Sequence, residues 1–399
     1  MNQSQLSVQP VSKEVTVDFD IHGIVGIRLL DPPAGAVKTL TNQIGHFRST
    51  LDREPDITVR FAAEIAPPNL KYLGLNQAGF TDEDFFIVDK RTGGISAQIP
   101  MDIIGYPCEI VCRRKRSTIP FLFEIIRLTL LRKEYIPLHA SAFQYNGIGV
   151  LVMGWTKGGK TEALLSFANH DAYYVGDEWV IVSSDGDEMF GLPVPVSIWD
   201  WQFQYIPKLL PKIRWQQQLL FKGIYFIEAI HKAIARVGLS RKFPFELLDE
   251  AMPFIKRRLR LKVLPQQIFG ERYHKTRVNL DKLLLIMSHQ DSGVVIDPCD
   301  GVTVAQSMVH SNVYEQEDLF GTYEAFKYAF PERQNTLIEE FKTRQQMLLQ
   351  QAFANKEAYQ VRHPYPVSLH LLFEQLQPYF QNKDSETLSA EVKAEILGA

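Results

Sequence analysis

Apolar and polar positions alternate through the first hundred residues, as they do in half-buried strands. Val15, Val17 and Phe19 alternate with polar neighbours, and 22–30 is a second strand-like run closed by Asp31-Pro32-Pro33-Ala34-Gly35. Residues 36–47 fit one short helix. Residues 56–62, 85–88, 95–99 and 108–112 fit further strands, with Lys90-Arg91-Thr92-Gly93-Gly94 as a turn between two of them. The pattern predicts a β-rich α+β domain over 1–118. At 121–132 the period lengthens: Ile125, Leu128 and Leu131 share one helical face, which predicts a helix linking two domains. Strands at 136–145 and 148–153 then flank Asn146-Gly147, the strongest short hairpin signal a sequence offers. A glycine-rich loop, a helix over 159–169 and strands at 172–175 and 179–183 follow, before the turn Ser184-Asp185-Gly186-Asp187. Residues 208–277 read as mostly helical, 280–287 and 293–296 as strands, and 312–351 as helix. The organisation predicted is an α/β domain with a mixed sheet over 119–330, interrupted by an insertion at about 208–277, and a helical C-terminal region over 331–399.

Composition narrows the class. The 399 residues are 45% hydrophobic and 22% charged, enough to bury a core and too apolar for a disordered chain. Three cysteines cannot form a disulfide framework and fit a reducing compartment; Cys108 and Cys112 read as strand residues, since no Cys or His pair completes a zinc spacing. The polar start lacks a signal-peptide pattern, and the apolar-rich stretches 121–131 and 219–230 are short and charged. A cytoplasmic protein without a membrane partner is therefore expected.

Charge changes the picture more. A formal net charge of −3 argues against a polybasic nucleic-acid binder. Yet 208–277 holds 16 Lys/Arg against five acids, net +11, and the remaining chain is −14. The densest run is Lys256-Arg257-Arg258-Leu259-Arg260-Leu261-Lys262. It is read either as a contact for an anionic ligand, with Arg257, Arg258, Arg260 and Arg272 as the residues to test, or as a solvated helix face. No aromatic residues interleave with its densest charges, so nucleic acid is not expected.

One motif carries chemistry. Gly154-Trp155-Thr156-Lys157-Gly158-Gly159-Lys160-Thr161 fits G-x-x-x-x-G-K-[ST] between an apolar strand and a helix-forming run that begins at Glu162. Gly154, Gly158 and Gly159 let the backbone turn its N–H groups onto phosphate oxygens, beside Lys157 and Glu162. Lys160 would reach the β- and γ-phosphates of ATP, and Thr161 would ligate Mg2+. The next strand ends at Asp177-Glu178, where an open α/β sheet binds ligand. One carboxylate of the pair can hold magnesium and the other can take a proton from an attacking hydroxyl.

Leu138-His139-Ala140-Ser141-Ala142, the run from Asn146 to Gly154, the phosphate loop and Val175-Gly176-Asp177-Glu178 together resemble the catalytic core of HPr kinase/phosphorylase. That family's P-loop fold is related to phosphoenolpyruvate carboxykinase. The resemblance covers about 137–195, with a weaker echo over 280–306. It implies Asp177 as catalytic base, Glu178 as a magnesium ligand, and His139 close to the base and the transferred phosphate. The family carries a glutamate-bearing, glycine-rich signature after its acidic pair. Here 196–206 has neither glutamate nor glycine, and its only acid is Asp200. The resemblance therefore implies a kinase of the wider group, passing the γ-phosphate of ATP to a hydroxyl of a protein serine, alcohol or sugar rather than to HPr. The alternative is a nucleotide-binding regulatory or assembly module, because Trp155 and Lys157 stand where such kinases more often carry small residues. The acceptor, including whether it is anionic, and a homo-oligomeric state stay open.

Overall fold

In the computed structural model of the chain, the alternation of the first hundred residues becomes one mixed eight-stranded sheet. Its order is Thr16–Ile21, Val25–Leu30, Ile57–Ala62, Cys108–Arg113, Ile95–Pro100, Asp84–Val88, Ala78–Phe80, Tyr72–Leu73. The structure describes residues 15–66, 68–73, 78–89, 92–236 and 245–381. The expected 36–47 helix is Ala34–Ile44 followed by a short 3-10 turn, Gly45–Phe47. Cys108 and Cys112 are buried strand residues with free thiols, which burial pushes up to about 12 and about 11.

The chain forms two contact units, and they do not follow a linear division at 118 and 330. The first joins residues up to 135 with 315–345; the second joins 136–314 with the chain from 346 onward. Leu122–Arg132 is a core helix of the first unit rather than a linker. Leu122, Ile125, Ile126, Leu128, Leu130 and Leu131 are all buried, so nearly its whole circumference is packed. The continuous helix expected over 312–351 is divided among Gly301–Tyr314, Glu317–Ala329, Thr336–Glu339 and Phe341–Phe353.

The second unit is built on a mixed six-stranded sheet in the order Tyr173–Gly176, Ser141–Tyr145, Ile148–Met153, Lys282–His289, Glu357–Pro364, Val295–Cys299. The predicted hairpin is present: Asn146 and Gly147 both take positive φ, 51° and 83°, and pair Tyr145 with Ile148. Ile148–Met153, Lys282–His289 and Glu357–Pro364 run parallel, so their C-terminal ends lie on one edge, where open α/β sheets bind ligands. Glu357–Pro364 adds a strand to the region read as helical over 331–399. Only Ala358, Val361 and His363 of it are buried, and polar residues stand between them, so the apolar signal is weak.

The glycine-rich loop leads into a shorter helix than expected, Lys160–Ser166. Two helices, Trp215–Arg236 and Phe245–Lys256, account for about half of the insertion. The basic run is not one helix face: it leaves the second helix at Lys256, turns, and enters the strand Arg260–Val263, which pairs antiparallel with Val196–Trp199. Arg241 and Lys242 lie outside the described residues. Among the described residues, no helix is long and apolar enough to cross a membrane.

Candidate active site

The loop after Ile148–Met153 is shaped by what surrounds it. A Cβ on Gly154 would lie 2.2 Å from the Ile286 carbonyl. A Cβ on Gly159, whose φ is +108°, would lie 2.0 Å from Nε2 of His363. Backbone therefore packs where side chains cannot. Lys160 is 6% exposed, and its ammonium donates to the carbonyls of Gly154 and Trp155 at 3.0 Å each, spanning the loop from inside. His363 is fully buried beneath it, its Nε2 3.1 Å from the Gly158 carbonyl and its Nδ1 2.8 Å from the Pro364 carbonyl.

The acidic pair follows Tyr173–Gly176, and its two members face different surroundings. Asp177 is 1% exposed and accepts from the Ser141 hydroxyl at 2.5 Å and from Thr161 Oγ1 at 3.2 and 3.3 Å. Among the described residues, no Lys or Arg side chain pairs with it. Burial, and then the neighbouring Glu178 charge, raise its carboxyl to about 6, although the two hydroxyls and His139 pull the other way. Glu178 takes positive φ, 68°, which turns its side chain to a half-exposed position against His139, with Oε2 3.0 Å from Nε2.

His139 and Glu178 line one cavity of about 770 Å³ with Lys157, Gly159, Lys160, Thr161 and Glu162 of the loop region. That size suits a small-molecule site, for which ~300–1,000 Å³ is usual. Asp177 lies behind Thr161, while Gly154 and Gly158 shape the loop. Glu162 is buried and accepts from Gln202 Nε2 at 3.0 Å; burial raises its carboxyl above the usual range. Three members of the basic run, Lys256, Arg257 and Arg260, line the same cavity with Trp199. Arg258 does not, and Arg272 is drawn off to Asp171 at 2.6 Å.

Sequence reasoning missed Ser197, Trp199, Gln202, Ser288, His363 and Tyr365. His363 and Tyr365 arrive on the unrecognised strand and its exit, where Tyr359-Gln360-Val361 followed by Pro364 and Pro366 was the available signal. Among the described residues, no group of three or more His, Cys, Asp and Glu side chains converges on a metal position. The donors beside the loop are a hydroxyl and carboxylate oxygens. That set fits magnesium, which takes one or two protein oxygens and fills its sphere with water and phosphate. No protein-family model matches the chain, and no curated protein matches it.

Proposed function

We propose that the protein is an ATP- and magnesium-dependent phosphotransferase with a hydroxyl acceptor. The observation that carries this reading is the contact between Thr161 and Asp177 at the foot of the glycine-cornered loop, with the Glu178–His139 pair in the same cavity. Magnesium bound with ATP would neutralise charge on the β- and γ-phosphates. Thr161 and Asp177 would hold it, which sets a divalent cation beside the buried carboxylate. Lys160 and the loop N–H groups would hold the phosphates.

The acceptor oxygen then attacks the γ-phosphorus, the bond to the β-phosphate oxygen breaks, and ADP leaves. The acceptor proton passes to Glu178, held in place by His139. This exchanges the roles that the family resemblance implies for the two acids. The reason is access: Glu178 lines the cavity and Asp177 does not.

The test is incubation of the full chain with magnesium and γ-labelled ATP in the presence of protein serine, alcohol and sugar acceptors. Label on an acceptor is the expected result. Label released only as free phosphate, or not released at all, would overturn the reading in favour of a nucleotide-binding regulatory module.

A further inference from the structure

Part of the cavity lining comes from the pairing of Val196–Trp199 with Arg260–Val263, in which Trp199 stands opposite Arg260 and Ser197 opposite Lys262. Strand residues two apart share a face. Ser197, Trp199 and Arg260 therefore turn to the cavity, while Val196, Ile198 and Val263 enter the hydrophobic core. Arg257 follows the last turn of Phe245–Lys256 and reaches the same cavity.

The partners of these arginines set them apart. Arg272 and Arg277, outside the cavity, are paired with Asp171 at 2.6 Å and Glu188 at 2.7 Å. Lys256 is paired with Glu228 at 2.9 Å. Arg260 lies 5.9 Å from the centre of the Trp199 ring and Arg257 5.3 Å from that of Phe254. Neither has a carboxylate partner among the described residues. Two like charges lining one cavity repel each other, and an aromatic ring offsets only part of that. Guanidinium is the group suited to a bidentate grip on carboxylate or phosphate.

Resting on the phosphotransferase reading, we propose that the acceptor carries an anionic group, carboxylate or phosphate, beside its reacting hydroxyl, and that Arg257 and Arg260 grip that group. In that reading the nucleotide phosphates have Lys160, the loop and the Thr161–Asp177 oxygens as partners. The arginines are thus left for the second substrate, and an anion held there brings its hydroxyl towards Glu178.

Calorimetry on the full chain, saturated with magnesium and a non-hydrolysable ATP analogue, tests this without requiring turnover. The probes are glycerol 3-phosphate, glycerate and glycerol, and a serine peptide with two acidic neighbours against its amide counterpart. An anionic probe is expected to bind about tenfold or more tighter than its neutral partner, the gain usual for hydrogen bonds to charged groups. Arg257→Gln with Arg260→Gln should remove that gain, with the analogue still binding within about twofold. Arg→Lys at both positions should restore part of it. A preference for the acidic peptide or for the small acids identifies the source of the anion.

Equal binding of charged and neutral probes, or no binding of any probe, would overturn the proposal. So would a loss that falls on the ATP analogue, which would place the arginines on the nucleotide. Tight anionic binding with no label transferred would instead sink the phosphotransferase reading and leave the anion site standing.

Discussion

Asp56 and Asp177 are both buried carboxylates, and among the described residues only Asp56 is paired with Lys and Arg side chains. Asp56, in the first unit, accepts from Lys133 at 2.7 Å, Arg132 at 3.2 Å and the Gly26 N–H at 3.0 Å. Asp177, in the second, has two hydroxyls and a like-charged neighbour. A buried charge with two cations around it ties elements together. One left with hydroxyls is held at a cost to folding, and strongly shifted buried groups of this kind cluster at functional sites.

The comparison can be broken by substitution. Asp56→Ala should destabilise the chain by about 3 kcal/mol, because Arg132 and Lys133 lose their shared partner, and the loss should appear as a lower denaturant midpoint. Asp177→Asn, which keeps an oxygen for Ser141 and Thr161, should do the reverse at neutral pH. The raised carboxyl is protonated in the folded state and ionised in the unfolded state between 3.8 and about 6. The folded state binds more protons in that window, so its stability falls as pH rises through it and is level above it. Replacing Asp177 should therefore gain up to about 3 kcal/mol above pH 6, with the gain shrinking towards pH 4. Thermal melts of both proteins across pH 4–8 measure this; a constant difference would show that Asp177 carries no unmatched charge. The smallest effect belongs to Ser141→Ala. It removes a donor that lowers the Asp177 carboxyl, so the upper edge of the pH window should move upward in the same melts.

Local chemistry made part of this site legible. The hairpin at Asn146-Gly147, the loop from Gly154 to Thr161 and the acids at the next strand end are short-range patterns, and each lies where its residue types require. The reach of the basic run was half legible: its charge is plain in the chain, but which arginines face the cavity depends on the register of Arg260–Val263 against a strand some sixty residues earlier. Glu357–Pro364 was hidden for a similar reason. A strand flanked on both sides needs little alternation of its own, and its neighbours come from distant parts of the chain. His363 and Tyr365 were lost with it. The division between a buried Asp177 and a half-exposed Glu178 could not be read from two adjacent letters, because it depends on one positive φ.

The account turns on that division, and one paired measurement tests it: magnesium-dependent ATP binding and label transfer to an acceptor, each followed in Glu178→Gln and Asp177→Asn. Glu178→Gln should bind magnesium-ATP as the parent chain does and transfer ~10²–10⁴-fold more slowly, the usual contribution of a general base. Asp177→Asn should lose the magnesium-dependent part of ATP binding. Near-parental transfer by Glu178→Gln, together with normal magnesium-ATP binding and no transfer by Asp177→Asn, would contradict the account and return the base to Asp177.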